Sequence, residues 1–385
     1  MLGTRLLANV GTDLLPDRWT AERAPEALER GWLRLETDAI ATPFQTYRWI
    51  STHYQAKPGN AVFAAGWKNG ELAAVFPLAV NDGVMTWFGE ALANYNAPLL
   101  ARSLWQALTP KNVDRIWTAV REAVGHPHCS ILRRQPESLA GLPNPFASWR
   151  SVREPTSAYA LTLGSEWPAF YETLHSAATR KTLRKKQNAL ARLGAISIRI
   201  ATDPGEAEEL MRLLLHWKSE QVDAGGGRNN FADAAHRDLL AGYARTEAAR
   251  MYVMALESEP VAIACVYLNG AEPILYQMAY APGPAARYSP GRLLLNRIIE
   301  DSIADRSALL DFAVGDDLYK QDLCDRRVPL TTSLAVHSPA GWTSVALERA
   351  KLGAKAAIKA SPAALRAAKR LHAYLGGRRA PAADI

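Results

Sequence analysis

Two stretches of this chain carry the same succession of patterns, and that repeat constrains the fold more than any other feature. In the first, apolar runs at 61–67 and 71–80 flank Lys68-Asn69-Gly70. Asn-Gly tolerates positive φ and is a strong signal for a tight hairpin. A third strand at 84–88, a helix at about 109–124 and a strand at 129–134 follow. In the second, β-rich runs at 250–257 and 261–270 make the pair and 273–282 the third strand. A helix from about Pro290 to Ala304 and a strand at 308–314 complete the order. Proline at a first helical position loses no backbone hydrogen bond.

The second copy is preceded by a strand at 158–163, two helical stretches, a strand at 196–201, and helices at about 204–223 and 232–248. Asp203 and Asp233 are placed as N-caps for those last two. A strand at 329–338 closes it. The expected fold is therefore α/β, with two related units in tandem, each a mixed and mostly antiparallel sheet flanked by helices. Residues 1–156 and 157–338 form the units, and the Pro- and Ser-containing stretch 135–157 connects them. Residues 339–385 are an Ala-rich helical tail, split by Pro362 into two helices.

With 385 residues, 48% hydrophobic and 22% charged, the chain is long enough for two cores and excludes a disordered or disulfide-stapled protein. No apolar run approaches the roughly 18 to 20 residues that span a bilayer, and the start meets polar residues too early for a signal peptide. The expectation is a cytoplasmic protein. Cys129, Cys265 and Cys324 are far apart and form no CxxC, and the histidines lack ligand spacing, so no metal is expected. Eight of the eleven tryptophans precede residue 150, which suits either an aromatic core or stacking on sugars.

The charge is unevenly placed. Residues 337–385 hold nine basic side chains against two acids, which accounts for the whole excess of +7. Such a basic amphipathic tail suits an anionic partner. A membrane surface at the inner face of the plasma membrane is one such partner. A cyclic dinucleotide is another, gripped by Arg366, Arg370, Arg378 and Arg379. A second cluster, residues 179–194, has six bases and no acid, with Leu183, Leu190 and Leu193 at helical spacing. Its cations, Arg180 and Arg184 among them, form either a solvated face or one turned to phosphate.

The segment SPGRLLL (289–295) follows a strand and opens a helix. Gly291 lets backbone approach an anion, and free amides at a helix start, with the positive end of the dipole, favour phosphate. Arg287 and Arg292 add charge-assisted bonds to the same group.

The order of elements across 196–337 resembles the GNAT acetyltransferase superfamily. More narrowly, the chain is similar to the acetyltransferases named for cellulose biosynthesis (CelD/BcsL type). That likeness is carried by WKSEQ (217–221), RKTLRKK (180–186), SPGRLLL and, above all, DFAVGDDLYK (311–320). TPFQTYRW (42–49) and GEALANYNAPLL (89–100) are weaker echoes.

The resemblance implies an N- or O-acyltransferase using acetyl-CoA or another acyl-CoA. Its pyrophosphate would lie on Arg287, Ser289, Gly291, Arg292 and Leu293, although this segment has one glycine and a proline where the superfamily has several glycines. Tyr319 resembles the tyrosine set near the coenzyme sulfur, Lys320 an oxyanion or phosphate partner, and Asp311, Asp316 or Asp317 the base. Lys218 and Gln221, with Arg180 and Arg184, are implied at the acceptor cleft. Of Tyr276 and Gln277, strand alternation lets only one face it. The implied acceptor is a small molecule such as a sugar or an exopolysaccharide, cellulose or adhesin precursor. The related FemABX aminoacyl transferases supply the alternative, in which the donor is an aminoacyl-tRNA. A binding module regulated through its tail is a third reading.

Overall fold

The computed structural model describes residues 14–225, 229–268 and 272–361. They form two compact units. The first runs to Ser157 and takes up the chain again over Val328–Ser361, and the second holds Ala158–Arg327.

In the first unit β1 (Arg18–Glu22), α1 (Glu29–Glu36) and α2 (Tyr47–Ala56) precede the hairpin of β2 (Ala61–Lys68) and β3 (Glu71–Asn81). Asn69 at φ 51° and Gly70 at φ 81° close the hairpin with Lys68 opposite Glu71, as the Asn-Gly pair predicts. Next come β4 (Val84–Trp87), β5 (Leu99–Leu100), α3 (Arg102–Ala107), α4 (Pro110–Ala123) and β6 (Cys129–Pro136). The two-residue strands β7 (Ser138–Leu139) and β8 (Leu142–Pro143) lead to β9 (Ser151–Thr162), which passes into the second unit.

Tryptophan governs packing here. Trp117 of α4 packs with Trp87, Phe76 and Phe146 on one face of the sheet. Trp32 of α1 and Tyr54 of α2 meet Phe63. Trp32, Trp49, Trp87 and Trp117 are fully buried, so these rings build the core and do not stack on sugars.

In the second unit β9 is followed by α5 (Trp167–Leu174), the basic α6 (Ala177–Ala191), β10 (Ile196–Ile200), α7 (Pro204–Gly225) and α8 (Ala234–Ala244). The Asp203 and Asp233 carboxylates accept the amides of Glu206 and Ala235 at 2.8 and 2.9 Å, which are the expected caps. β11 (Ala249–Leu256), β12 (Glu259–Tyr267) and β13 (Ile274–Tyr280) run antiparallel in sequence, then α9 (Pro290–Ala304) crosses back to β14 (Leu309–Val314), parallel to β13. The strand order is β9-β14-β13-β12-β11-β10. Ala264, Val266 and Leu275 pack with α9 on one face. On the other, Tyr243 of α8 meets Tyr267, which stacks on Tyr276 at 4.3 Å. A short α10 (Leu318–Leu323) follows β14.

The chain then returns to the first unit through β15 (Arg326–Val336), which pairs with β6 from Leu330 opposite Pro136 to Val336 opposite Cys129. This differs from the expected division at 338/339, because β15 finds its hydrogen bonds on β6, some 200 residues earlier in sequence. The tail's first helix, α11 (Trp342–Ala360), packs Val345 and Leu352 against Cys129, Ile131 and Leu334. Its Glu348 accepts from Arg133 Nε at 2.6 Å. Leu193 departs from the apolar stripe read for α6. It follows the helix end and is exposed, while Leu183 and Leu190 are buried. Among the described residues no helix is long and apolar enough to cross a membrane.

Candidate active site

β13 and β14 share a single register position, Ile274 opposite Asp311. From Leu275 onward the β13 edge has no pairing with β14. The cause is local to β14, where the Asp311 carboxylate accepts the amide of Ala313 at 2.6 Å and Ala313 sits at φ 59°. A non-glycine residue in the left-handed region needs such a local hydrogen bond to hold it. The kink also shifts the β9 register between Asp311 and Val314. Asp311 thus shapes the strand, and its carboxylate is bonded to its own backbone.

Beyond β13 the chain makes a 3-10 turn, Ala286–Tyr288, and enters α9 through Ser289 at φ 54°. The Ser289 carbonyl takes the amides of Arg292 and Leu293 at 3.0 and 3.3 Å. Pro290 has no amide hydrogen. Gly291 N–H has no hydrogen-bond partner among the described residues, so one donor remains at the positive end of α9. A Cβ added at Gly291 would meet Met278 and Tyr280 at ordinary contact distances of 3.7 to 3.8 Å, so the residue is not glycine for want of space.

Cations gather at this end. Lys186 of α6 donates from Nζ to Ser289 Oγ at 2.7 Å. Arg292 is half-buried, and burial pulls its pKa below the usual arginine range, against the opposing pull of Asp322, Tyr319 and Tyr171. No hydrogen bond or ion pair engages its guanidinium among the described residues. Arg287 lies over the Tyr288 ring at 4.9 Å. The Leu293 side chain is buried in the core, which leaves only its backbone at the helix start.

Lys320 of α10 is buried, donates to the Val314 carbonyl at 3.1 Å and lies 3.6 Å from the Asp317 carboxylate. Burial lowers its pKa, Asp317 opposes that shift, and the charge of Lys218 adds to it. Lys218 of α7 is likewise lowered by burial, with Asp317 opposing. Two amines from different helices thus lie within electrostatic reach of each other. Burial holds the Tyr319 phenol well above its usual range, aided by Asp317. Asp322 and Tyr319 of α10 lie within electrostatic reach of Arg292 at the start of α9.

Of the residues singled out in the sequence, Lys218 on α7 and Arg292 and Gly291 on α9 stand on helices packed beside β13, Ser289 precedes α9, and Lys320 and Tyr319 of α10 lie within electrostatic reach of Lys218 and Arg292. Gln221 lies beside β13 too, donating to the Tyr280 carbonyl at 3.4 Å. Asp316 accepts from Tyr159 OH at 3.2 Å and is engaged. Arg180 donates to the carbonyls of Glu172 and His175 at 2.9 Å and closes the end of α5, while Arg184 is exposed. The alternation expected at Tyr276 and Gln277 is interrupted by a register shift. Leu275 stands opposite Val266 and Gln277 opposite Cys265, with Tyr276 between them and buried on Tyr267. Arg366, Arg370, Arg378 and Arg379 lie outside the described residues. Among those described, no cluster of His, Cys, Asp and Glu is placed to hold a metal.

Three groups here escaped the sequence reading. Lys186 is one of six bases on α6, and composition does not say which of them faces α9. Tyr159 reaches Asp316 across 157 positions. His175 is buried, bonded to Asn296 of α9 at 3.0 Å, and its pKa is lowered by burial.

Residues 177–321 match the family described as Acetyltransferase (GNAT) domain. The chain carries a GNAT acyltransferase domain. The match spans α6 to α10 and so includes every element just described at the β13 edge. No curated protein matches the chain. Among solved structures, the C-terminal domain of a putative lysylphosphatidylglycerol synthetase from Agrobacterium fabrum is 13% identical. It covers 86% of this chain and 97% of its own, with a TM-score of 0.50. FemX is 8% identical and covers 82% of this chain and 97% of its own, with a TM-score of 0.51. At these identities the likeness is one of fold, extending well beyond the GNAT domain.

The first unit has a comparable place, differently filled. β4 and β6 run parallel and pair only at Val84 with Cys129 and Met85 with Ser130. Beyond that point the segment 89–96 occupies the β6 edge, with Asn96 donating from its backbone to Arg134 O and from its side chain to Arg133 O at 2.9 and 3.0 Å. Arg134 clamps the same segment through the carbonyls of Glu90 and Ala93, and Arg133 pairs with the Glu90 carboxylate.

Proposed function

We propose that the GNAT domain transfers an acyl group from an acyl-CoA thioester to an amine or hydroxyl acceptor. The reading is supported by the β13 edge that leaves β14 after Ile274 and leads to the start of α9, where, among the described residues, Gly291 N–H and the Arg292 guanidinium have no hydrogen-bond partner and Lys186 stands alongside. A half-buried guanidinium without a partner is costly unless an anion completes it. A pyrophosphate is such an anion, and an extended pantetheine arm has the hydrogen-bonding groups to pair with an open strand edge. These residues therefore fit the donor.

A bound thioester supplies an activated carbonyl and a sulfur leaving group. Lys218, whose charge is disfavoured by burial, takes the proton that the acceptor nitrogen or oxygen loses as it bonds to the carbonyl carbon. Lys320, which donates to Val314 O and lies beside the Asp317 carboxylate, is the cation offered to the charge that develops on the carbonyl oxygen. Tyr319, protonated well past neutral pH, gives a proton to the sulfur as the carbon–sulfur bond breaks. In this reading Asp311, whose carboxylate accepts the Ala313 amide, positions the strand that leads to α10, and Lys218 takes the role of base.

The likeness of DFAVGDDLYK and WKSEQ to the cellulose-biosynthesis acetyltransferases supports a sugar or envelope precursor as acceptor. A second reading, with an aminoacyl-tRNA as donor, is favoured by α6, where Lys181, Arg184 and Lys185 are exposed and form no ion pair among the described residues. The fold shared with FemX is in keeping with it.

Thermal unfolding with acetyl-CoA, free CoA or aminoacyl-tRNA separates the two. A ligand at about 100 times its Kd adds about 2.7 kcal/mol. Stabilisation by CoA species that is lost in Arg292→Ala is the expected result. Stabilisation by aminoacyl-tRNA alone, steeply weakened by salt, would favour the second reading.

A further inference from the structure

The outward face of α11 is the least explained surface of the described chain. Six large apolar side chains are exposed among the described residues, and three of them, Trp342, Leu347 and Ile358, lie on this one helix. Trp342 is 65% exposed and Leu347 57%. Steps of four from Trp342 run through Ala346, Ala350 and Ala354 to Ile358, and every member of that row is exposed. Residues four apart lie one above another on a helix, so the row is a continuous strip without a charge. At 19 residues the helix is about 28 Å long. The opposite side, with Val345, Glu348 and Leu352, is already packed on the first unit.

Cations border the strip. Lys351 and Lys355 flank it on one side and Arg349 on the other, all exposed. The helix has one acid, Glu348, and that is paired inward with Arg133. An apolar strip edged by Lys and Arg, with tryptophan at one end, has the make-up of a helix that lies in a membrane interface. There the apolar side chains enter the headgroup boundary and the cations reach lipid phosphates.

We infer that α11 docks this domain onto an anionic lipid surface. Charge decides among the possible occupants. Residues 362–385 carry five bases and one acid, so folding them back onto the strip would bring like charges together. A second copy would likewise set Arg349, Lys351 and Lys355 against their own counterparts. A surface that is apolar beneath an anionic layer meets both features at once. The inference does not depend on the acyl donor, because it uses only the first unit.

The full chain would be sedimented with vesicles of phosphatidylcholine alone and of phosphatidylcholine with about one third phosphatidylglycerol. Binding to the anionic vesicles only, weakened by high salt, is expected. A Trp342→Ser/Leu347→Ser variant and an Arg349→Glu/Lys351→Glu/Lys355→Glu variant should each lower partitioning about tenfold or more. Both change exposed side chains, so each variant's unfolding midpoint should stay near the parent's and confirm folding. Failure of the parent chain to bind anionic vesicles would overturn the inference. So would undiminished binding by both variants, which would assign attachment to residues 362–385. Lipid-free self-association that the Trp342→Ser/Leu347→Ser change abolishes would overturn it in favour of a second copy.

Discussion

Lys186 Nζ and Ser289 Oγ are 2.7 Å apart, and that one hydrogen bond joins the basic helix α6 to the start of α9. Ser289 holds a left-handed backbone conformation there, and its side chain caps no amide of the helix it precedes. The lysine is therefore placed to serve whatever anion the helix start receives. Lys186→Ala should weaken CoA binding about tenfold or more, in line with roughly 1.5 to 3 kcal/mol for a hydrogen bond to a charged group. The unliganded unfolding midpoint should change little, and titration calorimetry beside thermal melts would check both.

Lys218 should leave its mark on the pH profile. Its pKa is lowered, so the neutral, proton-accepting amine forms at a lower pH than for a free lysine. Activity should rise with pH through that lowered value. Lys218→Met should reduce kcat about 100-fold or more and remove the limb. Arginine should not rescue, because a guanidinium does not release its proton in this range. Equal loss at every pH with the limb intact would remove Lys218 from the role of base.

Asp311 should behave as a positioning residue. Asp311→Ala deprives the Ala313 amide of its acceptor, at a cost of about 1 to 2 kcal/mol in stability. It should also lower activity, because β14 leads directly to Lys320. Asp311→Asn retains an acceptor oxygen and should recover most of both. Full loss of activity in the asparagine variant, with stability unchanged, would point to a chemical role for the carboxylate.

His337 sets an acid limit on the first unit. Arg121 donates to its Nδ1 at 2.8 Å and its Nε2 pairs with Ser130 Oγ at 2.7 Å. Burial, with Arg121 and Arg150 nearby, lowers its pKa from 6.5 to about 4. In the unfolded chain the ring binds its proton below about 6.5, whereas the folded one stays neutral until about 4. Stability should therefore fall as pH drops through that window and be fully kept above it. Unfolding midpoints recorded against pH should show the decline, and His337→Asn should flatten it.

The first unit should hold no donor. Segment 89–96 already lies on the β6 edge, bonded through Asn96 and clamped by Arg134. CoA titration should saturate at one equivalent per chain. Two equivalents would mean that the segment moves aside.

What could be read from the sequence was local. Asn69-Gly70, the caps Asp203 and Asp233, and Pro290 at the start of α9 each act within a few residues, so their chemistry shows in the chain itself. The GNAT domain was legible because its motifs recur in order. The parts that were not legible depend on partners far apart. β15 is drawn back to β6, Lys186 finds Ser289, and Tyr159 occupies Asp316. The Ala313 kink was also hidden, since nothing about alanine signals a positive φ until Asp311 is seen to hold it. Leu193 matched the helical period but fell past the last turn, where period no longer governs facing.

Hydrogen exchange with and without acetyl-CoA tests the donor site most directly. Slowed exchange at the amides of 275–281 and 289–293, with none at 89–100, is the expected pattern. No protection anywhere at millimolar ligand, or protection confined to the first unit, would contradict the placement of the donor on β13 and α9.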